Sequence, residues 1–257
     1  MKELVVLQQV EREGPGLFAE AAAARGWPLH LRRPWAGDPL PATDPADQIL
    51  VVLGGPMGVA DLADPAYPWL TPTLELLERR LRLDLPVIGV CLGAQLLARA
   101  AGGAVVALRQ GDPPAPCREV GFGAIHLLPE ALRQPVLRGL PSCLMALHWH
   151  GDRILLPPAA MLLGSTLPCP EQFFRLGRRA FGLQFHVEVT AEDLPRWLDE
   201  DAAFVVGALG PGGIERVRSD ADRWFPLATP HWRRLIDNLL EACAQPVAPA
   251  SQSARAV

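Results

Sequence analysis

An apolar run, Pro86-Val87-Ile88-Gly89-Val90, stops at Cys91. Gly93 follows, and the chain continues Ala94-Gln95-Leu96-Leu97-Ala98-Arg99-Ala100-Ala101 before closing on Gly102-Gly103. The first part reads as a buried strand and the second as a helix, so the backbone must bend sharply between them. No other stretch constrains the chain as tightly. The bend places Cys91 on an exposed point at a helix N-terminus, where the dipole favours negative charge and lowers a thiol's pKa. The serine elbow of hydrolases has the same geometry with flanking glycines. Two readings stay open at this point: a thiolate nucleophile, or a buried structural cysteine, since free Cys is among the most buried residue types.

Around this bend the chain reads as alternating strands and helices. Leu4 to Leu7 is a strand, Leu17 to Arg25 a helix ended by Gly26, Pro28 to Leu31 a second strand and Gln48 to Leu53 a third, after a Pro/Asp-rich loop from Pro34 to Asp47. That order points to a parallel sheet. Thr73 to Leu83 is expected to be a helix with Leu74, Leu77 and Leu81 on its apolar face. Ala104 to Leu108 is extended and Arg109 to Pro116 a Pro/Gly loop. Glu119 to Leu128 and Cys143 to Leu147 read as strands of an antiparallel part. The fold expected is α/β, an open, mixed, mostly parallel sheet with helices on both faces. Beyond Thr190 the chain reads as helical over Glu192 to Asp201, Ile214 to Trp224 and Trp232 to Ala244. The domain reading is one domain over 1–190, a helical extension packed on it over 191–245, and a frayed Ala/Pro/Ser/Gln-rich tail over 246–257.

The length of 257 residues suits one large α/β domain or two small ones, and 49% hydrophobic against 20% charged residues supplies a sizeable core. A formal net charge of −4 argues against nucleic acid as a partner. The N-terminal apolar run is too short for a signal peptide, and no stretch approaches a membrane span. The five cysteines, Cys91, Cys117, Cys143, Cys169 and Cys243, are odd in number and scattered, which fits free thiols in a reducing cytoplasm.

Three further motifs carry chemistry. Gly54-Gly55-Pro56-Met57-Gly58 follows the third strand, where parallel sheets hold ligands and glycines let backbone N–H groups approach them; an ordinary glycine turn is the plainer reading. It lacks the Lys-Ser/Thr ending of a phosphate loop. In His148-Trp149-His150-Gly151-Asp152, an unbroken strand would turn His148, His150 and Asp152 to one face as a metal trio. Gly151 breaks that alternation, so a substrate-contacting loop is preferred, with a structural histidine pair as the other reading. In Phe181 to Val189, His186 and Glu188 are two apart and would leave the same face of a strand, where an acid can orient a histidine; such a pair is also often structural.

In order, Gly54-Gly55-Pro56, Cys91-Leu92-Gly93-Ala94-Gln95, His150-Gly151-Asp152 and Gln184-Phe185-His186-Val187-Glu188 resemble a class I (triad) glutamine amidotransferase, in particular the glutaminase domain of GMP synthase and its free-standing relatives. The resemblance runs from about Leu4 to Thr190 and implies a flavodoxin-like sheet. It implies that Cys91 attacks the side-chain carbonyl of glutamine, that His186 moves the protons, and that Glu188 orients His186. It implies an oxyanion hole of backbone N–H groups at Gly55 and Leu92. Gln95, Trp149, His150 and Gly151 would hold the amino-acid end of the substrate. No cofactor or metal is required. Val187 stands where many relatives have proline, which should leave the chemistry unchanged. No ATP-pyrophosphatase loop of the Ser-Gly-Gly-x-Asp-Ser kind occurs, so a whole GMP synthase is not expected.

Three functions follow from the resemblance. One is a glutaminase releasing ammonia for a separate synthase subunit. Another is a stand-alone hydrolase or transferase acting on a γ-glutamyl amide or peptide. The third is a non-catalytic binding or regulatory protein on the same fold.

Overall fold

The structure, a computed structural model, describes residues 2–245. The tail expected at 246–257 lies outside the described residues. Strands are β1 (Glu3–Leu7), β2 (Leu29–Arg32), β3 (Gln48–Val52), β4 (Val87–Val90), β5 (Ala104–Ala107), β6 (Arg109–Gln110) and β7 (Ala115–Pro116). They continue with β8 (Glu119–Leu127), β9 (Cys143–His150), β10 (Asp152–Leu155), β11 (Met161–Ser165), β12 (Phe173–Leu176) and β13 (Ala180–Leu183). Helices are α1 (Gly16–Ala24), α2 (Leu70–Arg82), α3 (Leu92–Ala100), α4 (Leu194–Glu200), α5 (Ala202–Leu209) and α6 (Gly213–Ala244).

Nine strands form the main sheet in the order β2-β1-β3-β4-β13-β12-β11-β8-β9. The five from β2 to β13 are parallel, and the remaining steps out to β9 are antiparallel. The parallel strands β3 and β4 are buried at every residue, because helices cover both sides. Leu4, Val6, Ile49 and Val51 meet α1 and α6 on one face, while Val5, Leu7, Leu50 and Val52 meet α2 and α3 on the other. The alternation of a strand thus feeds two cores at once.

Several elements differ from the sequence reading. On α2 the buried face is Leu70, Thr73, Leu76, Leu77 and Arg80, with Leu74 and Leu81 only partly buried. Arg80 can face inward because its guanidinium donates to Gln48 Oε1 at 3.2 Å, Gln48 O at 2.6 Å, Pro86 O at 3.2 Å and Asp44 Oδ1 at 3.3 Å. The Arg109–Pro116 loop carries the small β6–β7 hairpin. The two last expected helices are one, α6, which runs through Pro226 and Pro230. A proline removes one ladder bond, and here the buried row Phe225, Ala228, Trp232, Leu235, Ile236 and Leu239 outweighs that loss.

Candidate active site

Four adjacent parallel strands, β1, β3, β4 and β13, end at one edge, and each is followed by a segment that enters one cavity. That edge is where open α/β sheets place their ligands. After β4, Cys91 takes φ +49° and ψ −108°, a left-handed conformation that a non-glycine residue adopts only under constraint. The constraint is visible: Cys91 N–H donates to Leu183 O at 2.7 Å, and its carbonyl accepts the first α3 bond from Gln95 at 3.0 Å. Gly93 allows α3 to start this close to β3, since a Cβ there would sit 2.0 Å from the Val52 carbonyl oxygen. The bend is therefore where the sequence places it, but the thiol is not exposed. Cys91 is 6% accessible, under the Trp149 carbonyl at 4.0 Å and the Gln184 amide at 3.6 Å.

After β13 the chain does not stay extended. β13 ends at Leu183, and His186 and Glu188 lie in the irregular segment beyond it. Reciprocal backbone bonds between His186 and Leu147, at 2.8 and 3.2 Å, fasten this segment to β9. Glu188 Oε1 lies 2.7 Å from His186 Nδ1, and Glu188 Oε2 accepts the Val187 N–H at 3.0 Å. The Glu188 carbonyl accepts the Leu17 N–H at the start of α1. His186 and Cys91 converge on Gly54: a Cβ at Gly54 would lie 3.0 Å from His186 Cε1 and 3.2 Å from Cys91 Cβ. Burial alone would lower the His186 pKa. The Glu188 charge and the hydrogen bonds to Cys91 and Glu188 outweigh it and raise it well above the ordinary value.

The cavity measures about 360 Å³, and Cys91, Gln95, Trp149, His150, Gly151, Gly55 and His186 all line it. Gln95 Nε2 donates to Gln184 Oε1 at 3.2 Å, which links α3 to the segment carrying His186. Leu92 is the first residue of α3, so its N–H has no carbonyl a turn earlier within the helix.

Sequence reasoning missed part of the wall. Arg12 and Glu13 arrive after β1, Asp201 from the junction of α4 and α5, and Phe204 from α5; all four line the cavity. Arg12 Nη2 is 2.7 Å from Asp201 Oδ2 and 3.6 Å from Glu13 Oε1. Trp149 Nε1 donates to the same Asp201 oxygen at 2.9 Å. Burial raises the Glu13 carboxyl to about 7, against the pull of His186 and Arg12. A polar pair such as Arg12-Glu13 in a loop carries no periodic signal, and Asp201 lies outside the recognised motifs.

The trio His148, His150 and Asp152 does not form on one strand. β9 ends at His150, Gly151 breaks the alternation, and Asp152 opens β10, which pairs with β5. The residue that joins His148 and His150 is Glu119, directly across from His150 on β8. Burial pushes the His148 imidazole down to about 4.

Fold and cavity together define an α/β protein with a cysteine and a histidine–carboxylate pair at the C-terminal edge of a parallel sheet. Residues 35–202 match the model of the family described as glutamine amidotransferase class-I. The chain is 32% identical over 207 residues to the glutamine amidotransferase-like protein YfeJ of Salmonella typhimurium, covering 80% of this chain and 83% of YfeJ. It is 33% identical over 170 residues to the GMP synthase of Aeropyrum pernix, covering 66% of this chain but 31% of that relative's length. A solved glutamine amidotransferase from Thermotoga maritima superposes with a TM-score of 0.80 at 25% identity, over 95% of this chain and 99% of that one. Another from Methylobacillus flagellatus gives 0.76 at 26% identity, over 95% and 94%. The chain belongs to the class-I glutamine amidotransferase family.

Proposed function

We propose that the chain cleaves a γ-glutamyl amide bond through Cys91, His186 and Glu188, releasing ammonia or an amine. The observation that carries this reading is the convergence of Cys91 and His186 on Gly54, with Glu188 on the far ring nitrogen of His186. A raised His186 pKa favours an imidazolium beside a thiolate. The Cys91 thiolate adds to the amide carbon, and the oxyanion is held by the N–H groups of Gly55 and Leu92. The C–N bond breaks as His186 gives its proton to the departing nitrogen, leaving a thioester on Cys91. Water, giving a proton to His186, attacks the thioester and releases a glutamyl carboxylate and the thiol. Gln95, Trp149, His150 and Gly151 hold the amino-acid end of the substrate. This chemistry asks nothing of a metal.

Within that reading, a stand-alone γ-glutamyl hydrolase is favoured over a subunit feeding ammonia to a synthase. The observation is the wall from α5: Phe204 lines the cavity under the Arg118 guanidinium, 4.5 Å from its ring centroid, and offers a surface for an organic leaving group. The deciding experiment is glutamate release by the purified chain, with glutamine set against γ-glutamyl amides and peptides and Cys91→Ala as control. Faster turnover of a peptide or amide than of glutamine supports the hydrolase. Slow turnover of glutamine alone supports the ammonia-supplying subunit, and no covalent or catalytic reactivity at Cys91 leaves a binding protein.

A further inference from the structure

Beside the cavity, and sharing His150 with its wall, lies a second cluster whose other two members, Glu119 and His148, have no part in the proposed reaction. Glu119 on β8 and His148 and His150 on β9 each present a ligand-type atom, and these atoms lie within 4.8 Å of one another. Register explains the meeting. Glu119 is paired with His150, and His148 is two residues back on the same face of β9.

The hydrogen bonds around the cluster are incomplete in an informative way. His150 Nδ1 lies 2.9 Å from the Asp152 carbonyl oxygen, which can only accept, so Nδ1 carries the proton. In a neutral ring Nε2 then holds a lone pair; it faces Glu119 Oε2 at 3.2 Å, with the Gln172 Nε2 amide farther off at 3.5 Å. Two lone pairs do not bond to each other without a positive centre. His148 is more telling: it is 3% exposed, the Gly123 backbone is the hydrogen-bonding group beside its ring, and neither ring nitrogen makes a hydrogen bond of good geometry. A buried polar side chain is normally satisfied, and a buried imidazole with at least one nitrogen left over calls for an explanation. Glu119 is itself oriented from outside, by Thr166 Oγ1 at 2.9 Å and Gln172 Nε2 at 2.6 Å. A histidine whose far nitrogen is fixed by a backbone carbonyl, and a carboxylate held by donors, are what the ligands of a metal ion look like from behind.

We propose that Glu119, His148 and His150 bind one divalent transition-metal ion, zinc being the best fit to two imidazoles and a carboxylate. Hard cations such as Mg²⁺ and Ca²⁺ prefer all-oxygen sites. The ion accepts the lone pairs of His148 and His150, neutralises Glu119 and ties β8 to β9 where Trp149, His150 and Gly151 reach the cavity. His150 lines that cavity, which gives the ion its entry path. Its role is to hold this edge of the site in place.

The cysteine–histidine pair could capture zinc by itself, so the test uses the full chain carrying Cys91→Ala, stripped with chelator and desalted. Titration with Co²⁺ should give one equivalent bound, with the visible bands of a low-coordinate nitrogen/oxygen site, and Zn²⁺ should displace it. His148→Asn and Glu119→Gln should each weaken binding at least about a hundredfold, beyond what loss of an outer-shell partner does, with an unchanged far-ultraviolet spectrum. A second measurement needs no further variant: ring ¹⁵N signals of His148 and His150 should change on adding Zn²⁺ while those of His30, His126 and His231 stay. Failure of the Cys91→Ala chain to bind either ion overturns the proposal and leaves the close His150–Glu119 approach as a contact within the protein alone. Binding that survives His148→Asn, or leaves both rings unchanged, overturns it equally. Because the readout is metal binding in a chain without Cys91, its failure is separate from any failure of the triad.

Discussion

Trp197, on α4, stands edge-on to His186, with ring centroids 4.9 Å apart and planes at 87°. The same indole donates from Nε1 to the Arg12 carbonyl at 3.0 Å and meets Trp149 edge-to-face at 5.7 Å. A helix beyond Thr190 therefore packs against the candidate histidine on one side and the cavity wall on the other. Aromatic contacts of this kind contribute on the order of 1 kcal/mol beyond burial.

Replacing Trp197 with Ala should cost about 3–5 kcal/mol of stability, as for other fully buried aromatic rings. Turnover should fall at least tenfold, because the ring that limits His186 motion is gone. Trp197→Phe keeps a ring but leaves the Arg12 carbonyl without its donor, and should cost about 1–3 kcal/mol. Urea unfolding and glutamate release on the same samples check both. A folded Trp197→Ala chain with undiminished turnover would show that α4 is no part of the working site.

Cys91→Ala should remove turnover by at least about 10⁴-fold with the fold retained, since the proposed nucleophile has no substitute. Glu188→Gln should slow the reaction less. It keeps the shape but removes the charge that raises the His186 pKa, so less of His186 should be imidazolium at neutral pH and Cys91 should be less activated. The alkylation rate of Cys91 by iodoacetamide at pH 7 reads this directly and should drop several-fold. Equal alkylation rates in Glu188→Gln and the unaltered protein would separate Glu188 from the pair.

Glu13 gives a pH signature. Its carboxyl sits at about 7 when folded against an ordinary value of 4.5. A raised folded pKa means that the protonated form is the one the fold tolerates. The contribution is complete below about pH 4.5 and is lost as pH rises to about 7. Over that window the rise from 4.5 to about 7 corresponds to about 3 kcal/mol lost by the unaltered protein. Glu13→Gln cannot ionise and should not lose it. Urea unfolding of both chains from pH 4.5 to 8 should therefore show their stabilities diverging in favour of Glu13→Gln. Parallel curves would sink the assignment.

What the sequence made legible was whatever has a local cause. The Cys91 bend needed only an apolar run, a cysteine and a glycine, and its neighbours Gly54-Gly55 and His186-Val187-Glu188 carried motifs of their own. The buried parallel strands β3 and β4 were readable for the same reason. Other features depend on contacts distant in the chain. Arg80 looks like a surface residue until Gln48, Pro86 and Asp44 surround it. The His186–Glu188 pair was expected on a strand, yet it meets in an irregular segment held by Leu147 of β9. Strands β10 to β12 and helix α5 escaped notice because their short segments lack a clear period. Asp201 and Phe204 reach the cavity only through the packing of α4 and α5.

Gly54 offers the sharpest separation of site from scaffold. It is the point on which Cys91, His186 and Glu13 converge. A Cβ there would lie 2.3 Å from Glu13 Oε2, 3.0 Å from His186 Cε1 and 3.2 Å from Cys91 Cβ. The Glu13 oxygen belongs to a side chain that can turn away. The His186 ring has less freedom, being held by Glu188 on one edge and Trp197 on its flank. Gly54→Ala should therefore be relieved by shifts at Glu13 and His186, at a stability cost of about 1–3 kcal/mol. The geometry between thiol and imidazole should suffer far more, and a misplacement of about 1 Å can cost on the order of 10²-fold in rate. The expected outcome is a folded chain whose turnover and Cys91 alkylation rate both fall, the first by at least about 10²-fold. If Gly54→Ala instead kept both rates while losing stability, the glycine would serve packing alone and the convergence of Cys91 and His186 on it would carry no chemistry.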